Sequence, residues 1–125
     1  MSNLALKGKL GLLFNDILKI YEGKDKNEVL NILNSITKKD NNWVLFQLDN
    51  ILDCNELNIV KGSDLLCKDY NEIESSTELL NVIDSIIKIE TSKGVIIIGK
   101  EEKLKEFTEK LLDRFNLKNI IWIVV

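Results

Sequence analysis

Two continuous apolar runs, "VIIIG" at 95–99 and "IIWIVV" at 120–125, are separated by Leu104, Phe107, Leu111 and Phe115 at three- and four-residue intervals. A strand that is apolar on both faces needs cover on both sides, and parallel strands of an α/β sheet are covered in that way. Two such strands joined by an amphipathic helix define a βαβ unit, whose strands run parallel. The rest of the chain must extend that sheet and supply helices for its faces. The expected fold class is therefore α/β, a small sheet with a C-terminal parallel βαβ unit, packed by amphipathic helices.

The remaining segments can be read by the same periodicities. Leu6, Leu10, Leu13, Phe14, Ile17 and Tyr21 form an apolar stripe that predicts a first helix ending near Gly23. Asp25 with Glu28 has the spacing of a capping box, and Val29, Ile32, Leu33 and Ile36 predict a second helix, broken by "KKDNN". "WVLFQLD", 43–49, is apolar on both faces and predicts a central strand, whereas "ELNIVKG" alternates and predicts a shorter, more exposed strand closed by Gly62. A loop then runs to Ser75. Ser75 with Glu78 repeats the capping spacing, and Leu79, Val82, Ile83, Ile86 and Ile87 predict a third helix to about residue 88, although "IIKIE" also suits the start of a strand.

At 125 residues, with no repeat, low-complexity tract or linker, the chain reads as a single α/β domain, residues 1–125. No apolar stretch approaches the roughly 20 residues of a membrane span, and no membrane association is expected. Cys54 and Cys67 fit neither a CxxC redox pair nor a zinc spacing, and histidine is absent. They are expected to be buried and reduced, in a cytoplasmic protein. Isoleucine, lysine and asparagine are abundant, Arg114 is the only arginine and proline is missing, a profile associated with AT-rich bacterial genes.

Without histidine, Ser-His-Asp and Cys-His catalysis are both excluded. "VIIIGKEEKL" places Gly99 and Lys100 between a strand and a helix, where α/β proteins bind phosphate. It lacks the glycine-rich turn of a P-loop, and Glu101 and Glu102 suit the positive end of a helix dipole better than they suit an anion. Asp49 with Asp53, or Glu72 with Glu74, are carboxylate pairs that more simply serve as turn and cap residues. No basic patch interleaves with aromatics, so no nucleic-acid partner is expected, and Trp43 and Trp122 sit among aliphatic neighbours as core residues. No cofactor or metal and no enzymatic activity are expected.

Charge is unevenly distributed along the chain. Residues 1–48 hold seven lysines and five acids, residues 49–84 two lysines and nine acids, and residues 85–125 eight bases and six acids. The middle segment therefore carries −7 and each flank +2. Those acids are either solvated loop and helix-start residues or a negative face that steers a basic partner. Under the second reading Asp64, Asp69, Tyr70, Glu72, Glu74 and Glu78 are the contacts, Tyr70 being an amphipathic anchor among the charges.

The acidic stretch "DLLCKDYNEIESSTE" and the closing "VIIIGKEEKLKEFTEKLLDRFNLKNIIWIVV" together resemble the small cytoplasmic immunity proteins of bacterial toxin-immunity systems. The resemblance implies a protein that binds a cognate toxin domain, foremost a nuclease, and occludes its active site through an acidic surface. The alternative from the residues themselves is a small nucleotide- or phosphate-binding regulator or enzyme, using the strand ends near Asp49 and Gly99.

Overall fold

A computed structural model describes residues 17–61, 65–69 and 83–125, with the side chains of 83–85 excepted. Its strands are β1 (Leu18–Glu22), β2 (Val44–Gln47), β3 (Leu66–Asp69), β4 (Val95–Gly99) and β5 (Ile120–Val124). Its helices are α1 (Lys26–Thr37), α2 (Cys54–Lys61), α3 (Ile83–Thr91) and α4 (Glu101–Arg114). The strands form one sheet in the order β1-β5-β4-β2-β3. Every pairing is parallel.

β4 and β5 are wholly or almost wholly buried and lie side by side, with α4 as their crossover, so the expected βαβ unit is present. The period-two alternation of these strands divides the core into two layers. Val44, Phe46, Val95, Ile97, Ile120 and Trp122 face one way and pack with Ile89 of α3 and Leu104, Phe107 and Leu111 of α4. The rings of Phe46 and Phe107 meet edge to face at 5.0 Å. Leu45, Ile96, Ile98, Ile121 and Ile123 face the other way, under Val29 and Leu33 of α1 and Leu57 of α2. Trp43 and Trp122 are both core residues, as their neighbours predict.

α1 begins as its capping box predicts, with Asp25 Oδ1 accepting from the Glu28 N–H at 2.9 Å. Glu28 reaches back to accept from the Lys24 N–H at 2.6 Å. The Asp25 acceptor satisfies a donor that the first turn leaves without a helical partner, and Glu28 ties down the residue just before the cap. Gly94, at the entry to β4, stands so close to its neighbours that a Cβ there would lie 2.7 Å from the Asn119 Cβ and 2.9 Å from the Trp43 ring. Only glycine fits.

Three assignments from the sequence are corrected. Residues 18–22 are not the end of a helix but strand β1, registered from Leu18 opposite Ile120 to Glu22 opposite Val124. The spacing that suggested a helix cannot register that β5 has a free edge to pair with; Leu6 to Phe14 lie outside the described residues. "ELNIVKG" is not a strand, because Asp53 Oδ1 accepts from the N–H groups of Asn55 and Glu56 and starts helix α2 instead. The predicted loop beyond it contains β3, which pairs along the outer edge of β2. α3 continues to Thr91, beyond the expected end near 88, and its proposed Ser75–Glu78 cap lies outside the described residues.

The chain order reverses the direction of winding between β2 and β4, while all strands stay parallel. From β2 the chain runs outward through α2 to β3, then returns past β2 through α3 to β4. In doubly wound sheets the crevice beyond the carboxyl ends of the two strands flanking such a reversal is the favoured ligand position. Here those ends are Leu48–Asp49 and Gly99–Lys100.

Candidate functional site

At that crevice Asp49 leaves β2 and reaches the start of α4. Its Oδ2 accepts from the Lys100 N–H at 2.9 Å and its Oδ1 from the Lys103 ammonium at 3.0 Å. Lys100, the residue capping α4, makes no side-chain cap bond, so a carboxylate from a different strand supplies the cap. The geometry fills the position a bound phosphate would take at a helix N-terminus. Glu101 and Glu102 follow in the first turn, and Gly99 packs so tightly against Leu48 that a Cβ would stand 2.9 Å from the Leu48 Cβ. The Asp49 carboxylate at the crevice is thus already paired within the chain, with the half-exposed Lys103.

Burial pushes the Asp49 carboxyl up, but the Lys100 N–H, the hydrogen bond and charge of Lys103 and the charge of Lys100 outweigh it and hold the carboxyl below its ordinary value. A carboxyl lowered on folding stabilises the native state above its unfolded pKa, and that contribution disappears as pH falls through the folded value. Asp49→Ala is expected to cost about 1 kcal/mol near neutral pH, the usual loss for a helix cap. Urea unfolding between pH 6 and 2 should show the two proteins converging below about pH 4, the ordinary carboxylate range. A difference that stays constant down to pH 2 would show that the charge of Asp49 contributes nothing.

A second polar cluster lies on the other side of β2, beneath the start of α2. Gln47 is 0% exposed. Its Oε1 accepts from the Leu52 N–H at 2.9 Å, and its Nε2 donates to the Leu52 carbonyl at 2.9 Å and to Asp69 Oδ1 at 3.0 Å. One amide thus holds the β2–α2 loop and the end of β3 together. Cys54, the first residue of α2, is joined to Cys67 of β3 by a disulfide, with their Cα atoms 5.3 Å apart. The expectation of buried cysteines holds but that of free thiols does not. Separation in sequence said nothing, because what brings the two together is the parallel pairing of β2 and β3 with α2 crossing over it.

The outer face of α2 is different in character. Ile59 is 83% exposed and Val60 71%, the highest values for large apolar side chains among the described residues, and exposed Asp53, Asn55 and Glu56 accompany them. Between α2 and α1 runs a groove of about 200 Å³, whose apolar lining comes from Leu30, Leu52, Leu57 and Val60. Lys26, Asp53, Glu56 and Lys61 also border it.

Of the contacts expected from the sequence, Asp69 is placed at the carboxyl end of β3, half-buried, with Oδ1 engaged by Gln47. Asp64, Tyr70, Glu72, Glu74 and Glu78 lie outside the described residues. Ile59 and Val60 were missed because the strand assignment placed their segment in the sheet. The signal was there in Asp53 as a helix start, after which positions 54 and 57 turn inward and 55, 56, 59 and 60 outward. No cluster of metal-ligating side chains occurs among the described residues, and none of their helices is long and apolar enough to cross a membrane. Comparison with known proteins yields no relative: no family model, no curated protein and no solved structure matches the chain.

Proposed function

We propose that this protein is a binding module of the immunity type, acting in the bacterial cytoplasm, which docks on a basic toxin domain, foremost a nuclease, and covers its active site. The observation that carries the reading is the outer face of α2, where the exposed aliphatic pair Ile59 and Val60 lies beside Asp53 and Glu56. This helix belongs to the segment 49–84 that holds the chain's entire excess of negative charge. Exposed aliphatic anchors with carboxylates beside them are what a complementary basic surface would bury, the acids directing approach and the aliphatics slowing release, while Lys26 and Lys61 mark the border of the groove toward α1. Asp64, Asp69, Tyr70, Glu72, Glu74 and Glu78 are the further contacts within the same segment.

The test is inhibition of a basic nuclease toxin domain from the host, with association and dissociation rates followed across ionic strengths. Glu72→Lys with Glu74→Lys is expected to slow association and flatten its salt dependence. Ile59→Ala with Val60→Ala should leave association nearly unchanged and speed dissociation by roughly tenfold or more, as loss of buried apolar contact does. Binding without inhibition, or rates indifferent to both double variants, would sink the proposal. A nucleotide-dependent rise in melting temperature that is lost in Lys100→Ala would support the small-ligand alternative instead.

A further inference from the structure

We propose that Cys54 and Cys67 form a reversible dithiol–disulfide site that sets how firmly α2 is held on the sheet. α2 has only eight residues, too few to be stable alone in water. Its buried side chains are Cys54 and Leu57. Beyond these, Asn58 Oδ1 accepts from the Cys67 N–H at 3.3 Å, and Asn41 Nδ2 donates to the Lys61 carbonyl at 3.1 Å. The disulfide is the covalent member of this short set of attachments, and it joins the helix directly to edge strand β3.

The surroundings suit both redox states. Cys54 Sγ lies 3.3 Å from Asp69 Oδ1 and 3.3 Å from Gln47 Nε2. In the disulfide no S–H exists, and the Asp69 oxygen is occupied by the Gln47 amide. In the dithiol the new Cys54 proton finds that same carboxylate oxygen already within reach, and the sulfur keeps the Gln47 N–H beside it. Reduction therefore leaves the new Cys54 donor with an acceptor in this buried cluster.

The co-reactant is a dithiol reductant. Its thiolate attacks one sulfur of the pair, breaking the Cys54–Cys67 bond and forming a mixed disulfide, which its second thiol resolves. Two electrons pass to the protein, two protons finish on the Cys54 and Cys67 sulfurs, and the reductant leaves as its own disulfide. Because both sulfurs are buried, at 5% and 2% residue exposure, attack proceeds through local opening of α2. Oxidation orders the helix in advance and reduction returns the ordering cost to the docking step, so the oxidised form is the tighter binder. This last consequence rests on α2 being the docking helix; the coupling of thiol state to the helix does not.

Hydrogen exchange of the full chain, with no partner present, reads that coupling. The protein is equilibrated in oxidised or reduced dithiothreitol, and its free thiols are counted by maleimide mass labelling. Reduction is expected to expose two thiols and to speed exchange at 54–61 by about tenfold or more while β4 and β5 stay protected. Two free thiols with unchanged exchange at 54–61 would overturn the proposal, as would a rise of equal size in β4 and β5, or thiols that never appear. None of these outcomes bears on whether Ile59 and Val60 contact a partner.

Discussion

Trp122→Ala is expected to cost about 3–5 kcal/mol of folding stability, the usual range for truncating a large buried aromatic. Trp122 is fully buried in β5 between β1 and β4, at the centre of the layer covered by α3 and α4. Its indole Nε1 donates to Thr108 Oγ1 at 2.9 Å, tying the sheet to α4 in a place water does not reach. The alanine variant therefore leaves both a cavity and a buried hydroxyl deprived of this donor. Urea midpoints at constant slope measure the loss. Trp122→Phe should lose less, since it keeps most of the ring volume. A cost below about 1 kcal/mol for the alanine variant would be outside what removal of a buried tryptophan allows and would place the residue nearer the surface.

Gln47→Leu should be the next most damaging change, at about 2–5 kcal/mol, although it replaces a polar side chain by an apolar one of similar size in a buried strand. The reason lies in what it abandons. The Leu52 N–H and carbonyl both depend on the Gln47 amide, and Leu52 is buried, so two backbone groups lose the partners the structure gives them. Each such group costs about 1–3 kcal/mol when its partner is taken away. Asp69 Oδ1 also loses its amide donor. Gln47→Glu separates shape from hydrogen bonding, because it keeps the length and one acceptor but removes both N–H donors and places a second carboxylate beside Asp69. It is expected to be destabilising at neutral pH and to recover as the pH is lowered toward the carboxylate range. Equal stability of wild type and Gln47→Leu would mean that the β2–α2 loop does not depend on this residue.

The contrast between these two side chains explains what could be read in advance. Trp122 lies in an unbroken apolar run, and a run that long has few places to go except the interior of a sheet. Gln47 lies in the same kind of run, but nothing in "WVLFQLD" says that its amide would be spent on a loop five residues later and on an aspartate from a neighbouring strand. The two electrostatic pairings that matter at the sheet end were equally invisible. Asp49 was visible as an acid at a strand terminus, but its partners Lys100 and Lys103 are 51 and 54 residues away.

What the sequence determined by itself is the local and the strongly patterned: the βαβ unit, the buried β2, the Asp25–Glu28 start of α1, and the concentration of acids in 49–84. Helix caps act within three or four residues, and continuous apolar runs demand burial whatever surrounds them, so neither needs a distant partner to be specified. Only the tertiary structure decided that residues 18–22 are a strand, that 54–61 are a helix, and that Cys54 meets Cys67. A strand exists only beside a free edge, here that of β5, and a short helix only where its buried side has something to rest on. The disulfide depends on both, because it forms where α2 crosses to β3 and the parallel register with β2 sets Cys67 opposite Leu45.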